Sequence, residues 1–313
     1  MSDVIKFIFY SYKPSMAGAV IFILLFTISA VYHIWLLVKQ RTWYFVPFVI
    51  GCLFEAVGYI GRALSSTESP DFTKNPYIIQ SVLLLLGPTL YAASIYMILG
   101  RLVVLLEADN YSLIRPKWLT KFFVLGDVLS FFAQGGGGGM LTTAKSQDDV
   151  RRGENIILGG LGIQIIFFGF FITVTAVFHR RIRNEPTPKS SRIVAPWKSL
   201  LYTLYGTSML IMIRSIYRVA EYAEGQSGEL QSKEFWLYIF DALPMVFVAL
   251  AFNWMHPSKV VSRETSVETS YAMDDGLTDP RQRSEYNVVS YDSSPSYPGS
   301  IWSEWEEPSM VER

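Results

Sequence analysis

Long apolar blocks alternate with short polar stretches along most of the chain. The blocks fall at about 16–38, 43–64, 77–106, 118–144, 156–178, 200–220 and 235–255. A helix rises 1.5 Å per residue, so about 20 apolar residues cross a hydrocarbon core of roughly 30 Å. The pattern therefore predicts an all-α polytopic membrane protein, a seven-transmembrane-helix bundle. The first block is too long for the apolar core of a signal peptide and lacks a basic start, so it is expected to be a retained span. Residues 1–15 are expected to form an extracellular tail and 16–260 the membrane domain. Residues 261–313, rich in Ser, Thr, Asp, Glu, Pro and Tyr, are expected to be a disordered cytosolic tail, because that composition buries no core.

The loops set the orientation. Lys39 and Arg41, Arg115 and Lys117, and a run of six from Arg180 to Lys198 follow the odd-numbered blocks. Loops after even-numbered blocks are poorer in base or acidic, although Lys145, Arg151 and Arg152 fall in the fourth. Basic loops stay cytosolic, which places the N-terminus outside and the C-terminus inside. The sequon Asn110-Tyr111-Ser112 then lies on the cytosolic side and is expected to be unmodified.

Polar residues interrupt the apolar blocks at specific places. Gly51, Glu55, Gly58 and Arg62 are spaced i, i+4, i+7, i+11, which puts all four on one helix face. Arg214, Arg218 and Glu221 share a face in the sixth block, Asp127 and Gln134 lie two turns apart in the fourth, and Asp241 sits in the seventh. A charge at bilayer depth costs roughly 2.5–3.5 kcal/mol on insertion scales, so each needs a partner or a water-filled cavity. One arrangement is a set of buried ion pairs fixing helix register. The other is a polar cavity in which Glu55, Asp127 and Asp241 outnumber the deep base Arg214 and favour a cationic head group. Glu55 is expected to face Arg214 or a substrate amine. Arg62, Arg218 and Glu221 lie nearer span ends, where they can snorkel, and Arg62 is expected to meet a head-group phosphate or an acid such as Glu221. The glycine run 135–139 either permits close helix contact or breaks the fourth helix and bares backbone beside a cavity. Gly87-Pro88 is expected to kink the third.

Composition narrows the function. Half of the residues are hydrophobic and the formal net charge is zero, so nothing favours nucleic acid. The single cysteine, Cys52, excludes an internal disulfide. No phosphate-binding Gly-rich loop, HExxH or Gly-x-Ser-x-Gly motif occurs, and no cofactor or metal site is expected.

The polar residues also occur in blocks that resemble the fungal lipid-translocating exporter family: Phe54-Glu55-Ala56-Val57-Gly58-Tyr59 through Arg62; Gly87-Pro88 with Tyr91-Ala92-Ala93, Tyr96 and Leu99-Gly100-Arg101; Asp127 with Gln134 and the glycines; Arg214, Arg218, Glu221 and Gly225; then Glu234, Tyr238, Asp241, Pro244 and His256-Pro257. Gly87, where a residue such as alanine is expected, departs from that pattern. The resemblance implies seven spans and the export of, or resistance to, amphiphiles such as sphingoid long-chain bases at the plasma membrane, with no catalytic residue. The substrate-binding set expected from the charge pattern is Glu55, Arg62, Asp127, Gln134, Arg214, Arg218, Glu221 and Asp241. Two other functions fit less of the chain: a seven-span lipid sensor with a Ser/Thr/Tyr-rich tail, and a zinc lipid hydrolase using His33, His179 and His256.

Overall fold

The structure is a computed structural model that describes residues 12–68, 72–144, 146–193, 195–225 and 228–261. All of these belong to one unit, Met1–Ser266. The expected cytosolic tail, save for Val261, and most of the expected extracellular tail lie outside the described residues.

Seven long helical segments lie among the described residues. They are α1 (Met16–Gln40), α2 (Val46–Thr67), α3 (Lys74–Leu105), α4 (Pro116–Thr143), α5 (Gln147–Asn184) and α6 (Trp197–Glu224). The seventh, α7, joins Glu234–Leu237, a π-helical turn Tyr238–Ala242 and Leu243–Trp254. Among the described residues there is no strand. Among the described residues, five segments are long and apolar enough to cross a membrane: Met16–Gln40, Trp43–Thr67, Lys74–Leu105, Gln147–Asn184 and Glu234–Lys259. The other two, α4 and α6, have 28 residues each, about 42 Å of helix. Their composition holds them back: α4 carries the glycine run with Lys117, Lys121 and Asp127, and α6 carries Lys198, Arg214, Arg218, Glu221 and Glu224.

Parts of two expected loops are helix. The charged stretch 147–154 forms the first turns of α5. It is started by a capping box in which Ser146 Oγ accepts the Asp149 N–H while the Asp149 carboxylate accepts the Ser146 N–H. Asp148 and Asp149 lie in that first turn, where the helix dipole favours acids. Likewise α6 continues through Glu221 to Glu224 rather than ending at about 220.

Small residues bring α2 and α3 together. A Cβ on Gly51 would lie 2.9 Å from the Gly87 carbonyl oxygen, one on Gly58 2.6 Å from Leu84, and one on Gly61 3.0 Å from the Pro76 carbonyl. The stripe on α2 is thus a packing face as far as its glycines go. Aromatic rings fill the neighbouring core, with Phe48 stacked on Tyr91 at 4.5 Å and on Phe45 at 4.5 Å.

Two prolines alter the backbone ladder. Helix α3 runs through Pro88, which has no N–H to give the Leu84 carbonyl four residues earlier. That carbonyl instead accepts from Arg214 Nη2 of α6 at 2.7 Å. In α7 the π-helical turn precedes Pro244, and the Leu243 N–H bonds back to the Tyr238 carbonyl. The widened turn accommodates the proline and carries Asp241.

Candidate functional site

Asp241 is the centre of a buried charge cluster. Its Oδ1 lies 2.7 Å from Arg214 Nε, and it also accepts from Arg218 through Nε at 3.1 Å and Nη2 at 2.8 Å. Arg218 also donates to Glu221 at 3.0 Å, one turn on along α6. The i, i+4, i+7 spacing on α6 therefore presents two guanidiniums and an acid to one carboxylate on α7. Asp241 and Arg214 are each only 2% exposed.

A second cluster lies toward the N-terminal end of α7. Arg62 donates to Glu234 Oε1 through Nη2 at 2.7 Å and Nε at 3.1 Å. It also donates to the hydroxyls of Tyr238 at 3.2 Å and Tyr12 at 2.9 Å. Both Glu234 oxygens accept the Ser15 backbone N–H at 2.9 Å. Arg62 is fully buried rather than snorkelling, and its acid is Glu234 rather than Glu221. The reason is geometric: the Glu221 carboxylate is taken by Arg218 on its own helix, and α7 runs beside α1 and α2 at this level.

Glu55 does not form the expected bridge with Arg214, because Asp241 holds that guanidinium. Glu55 is 2% exposed, and its Oε1 has no hydrogen-bond partner among the described residues. It stays within electrostatic reach of Arg214, Asp241 and Arg218. Its carboxylate rests against Gly87, where a Cβ would come within 2.7 Å of Oε1. An alanine at 87 would therefore have to displace the Glu55 carboxylate.

Both clusters border one cavity of about 340 Å³. Arg62, Arg214, Arg218 and Glu221 line it from α2 and α6, Gln80 from α3, Gln134 from α4 and Glu154 from α5. Apolar residues including Leu85, Phe131, Ile157 and Leu161 complete the wall. Five of the eight expected site residues thus meet at one cavity: Arg62, Gln134, Arg214, Arg218 and Glu221. Asp241 and Glu55 stand behind the arginines. Asp127 is apart, buried on α4 against Tyr96 of α3 and without an ion-pair partner among the described residues. Gln134 belongs to a polar chain between α4 and α5, donating to Ser130 Oγ and to Gln164 Oε1 at 3.2 Å, while Ser130 donates to the Gly160 carbonyl at 2.7 Å.

Helix α4 is not broken by its glycines. Of the five, only Gly137 is closely packed, its would-be Cβ 2.7 Å from the Gly153 carbonyl; nothing lies within 4 Å of the others. Gly135, Gly138 and Gly139 line the cavity.

The three histidines form no single cluster. His33 and His256 have ring centroids 5.9 Å apart, while His179 packs against Tyr202 and Tyr205. Among the described residues, no group of three His, Cys, Asp or Glu is placed to hold a metal ion.

Residues 48–264 match the protein family described as RTA1 like protein. Over 282 residues the chain is 39% identical to protoporphyrin uptake protein 1 of Saccharomyces cerevisiae, covering 79% of this chain and 91% of that protein. It is 31% identical to the probable lipid transporter atnI of Emericella nidulans, covering 80% of this chain and 68% of that one. It is 22% identical to the sphingoid long-chain base transporter RSB1 of Saccharomyces cerevisiae, covering 81% and 75%. No solved structure matches the chain.

Proposed function

Because the chain belongs to the RTA1-like protein family, we propose that its arginine-lined cavity is the head-group station of a membrane lipid transporter. The protein is an integral membrane protein of that family, a lipid transporter of the kind that confers resistance, and its substrates are lipids or amphiphiles. The three relatives named above carry transporter or uptake names.

The finer assignment is a sphingoid long-chain base. Such a base has an ammonium and hydroxyls on a long hydrocarbon chain. Its ammonium would meet Glu221 and Glu154, the carboxylates on the cavity wall, and its hydroxyls would meet Gln80 and Gln134. Of the three arginines on the wall, Arg218 pairs with Glu221, while Arg62 and Arg214 are tied to Glu234 and Asp241. In this scheme all seven long helices cross the plasma membrane, with the N-terminus outside and the cavity toward the outer leaflet. The supporting observation is the cavity itself, where charged and amide side chains from five helices meet an apolar wall. The three guanidiniums also favour a second substrate class, amphiphiles bearing carboxylates, in line with the uptake protein's name.

Purified protein in liposomes provides the test. Sphingosine should cross faster than in protein-free liposomes, and Glu221→Gln should slow it at least fivefold. Flux of a dicarboxylate porphyrin in place of sphingosine would instead support the second class. Binding of either compound without flux would make the protein a sensor.

A further inference from the structure

We propose that the gap between α3 and α4 is a lateral portal through which the hydrocarbon chain of the substrate reaches the membrane while its head occupies the cavity. The proposal rests on the transporter reading given above for what occupies the cavity. It identifies a site that the charged residues alone do not, because part of its wall is bare glycine backbone.

The two helices separate along their length. Near one end they touch: Tyr96 of α3 and Phe123 of α4 have ring centroids 5.3 Å apart, and a Cβ on Gly100 would lie 3.7 Å from the Pro116 carbonyl. Toward the other end the cavity lies between them, with Ile78, Val82 and Leu85 on the α3 side and Phe131, Gly135 and Gly138 on the α4 side. Gly135, Gly138 and Gly139 would meet nothing within 4 Å if given a Cβ. Glycine there is not needed for helix packing, unlike Gly137 one position away. It does leave the α4 side of the gap open at these three positions, beside Phe131.

The gap continues to the surface. Val82 and Ile78 line the cavity and are also 37% and 44% exposed, and Phe132, beside the cavity residue Phe131, is 69% exposed. An apolar outer surface of this kind suits lipid rather than water. A long chain lying over a glycine backbone would have its head against Arg214 and Glu221 and its tail in the bilayer. It would never have to pass through the charged clusters.

The test maps contact directly. Sphingosine bearing a diazirine in its alkyl chain is photolysed with the full-length protein in liposomes, and the cross-links are located by mass spectrometry. Cross-links should concentrate on residues 78–85 and 131–142. Gly138→Leu should lower them at least fivefold, Gly138→Ala should give an intermediate result, and Gly136→Leu, which faces away from the cavity, should leave them unchanged. Labelling spread evenly over other exposed apolar faces, such as Ile28 and Val31 of α1, or unaffected by Gly138→Leu, would overturn the portal. Flux is measured in parallel with unmodified sphingosine. Wild-type liposomes that move none would refute the transport reading while the cross-link map still decides the portal. Flux with a scattered map would refute the portal alone.

Discussion

Replacing Asp241 with asparagine tests the central cluster with little change of shape. The carboxylate is 2% exposed and serves two guanidiniums at 2.7 and 2.8 Å. Removing one partner of a buried ion pair costs about 3–5 kcal/mol, because the other charge is left uncompensated. Two cations lose the same acid here, which pushes the loss toward the top of that range. Two contacts limit it: Arg218 keeps Glu221 at 3.0 Å, and Arg214 keeps the Leu84 carbonyl at 2.7 Å. We therefore expect D241N to lose about 3–4 kcal/mol of unfolding free energy, measured by steric trapping in bicelles. The double variant R214M/D241N removes one stranded cation along with the acid. Its loss should be smaller than the sum of the two single losses by at least about 1 kcal/mol, the signature of residues in direct contact. A D241N loss below about 1 kcal/mol, the size of an exposed pair, would refute the picture of a dry, shared carboxylate. So would single losses that simply add.

Neighbouring glycines on α4 should behave oppositely. Gly137→Ala drives a Cβ to 2.7 Å from the Gly153 carbonyl and should cost about 1–3 kcal/mol as overpacking; Gly136→Ala meets nothing within 4 Å and should add up to about 1 kcal/mol through helix propensity, both read by thermal unfolding in detergent. Glu55→Gln keeps the shape of a side chain whose Oε1 has no hydrogen-bond partner among the described residues; protein level at the membrane should persist while resistance to added sphingoid base is lost, and lost expression would instead make Glu55 a structural residue. Endoglycosidase should leave the protein's gel mobility unchanged, since the proposed orientation puts Asn110, in the short turn Asp109–Tyr111, on the cytosolic side; a shift removed by Asn110→Gln would reverse that orientation.

The helices were legible because apolar length is a strong signal. The expected 16–38 and the observed Met16–Gln40 differ by two polar residues, Lys39 and Gln40. The miss at 147–154 has a local cause: charged residues read as loop, yet Ser146 and Asp149 form a capping box that extends α5 backward. Spacing also identified the polar faces of α2 and α6, and five of the eight chosen residues share the cavity. Pairing was harder to read. Charge count and depth favoured Glu55 for Arg214, but partner choice depends on how α7 is rotated, and the π-helical turn before Pro244 sets that rotation. Nothing in the charge pattern selected Glu234 for Arg62, because Glu234 reads as an interfacial residue and Tyr12 as part of a tail. One pairing does follow from the sequence. Pro88 guarantees an orphaned carbonyl at Leu84, and a buried arginine is a natural donor to it.

That carbonyl has a mechanical consequence. A side-chain acceptor can rotate away or take up a proton, whereas a backbone oxygen moves only when its helix moves. The bond from Arg214 to Leu84 therefore acts as a rigid linkage between α6 and the stretch of α3 just before Pro88. Any swing of that stretch about the proline must pull on Arg214, and through it on Asp241 and Arg218. A swing that widened the gap beside α4 would then disturb the charges with it.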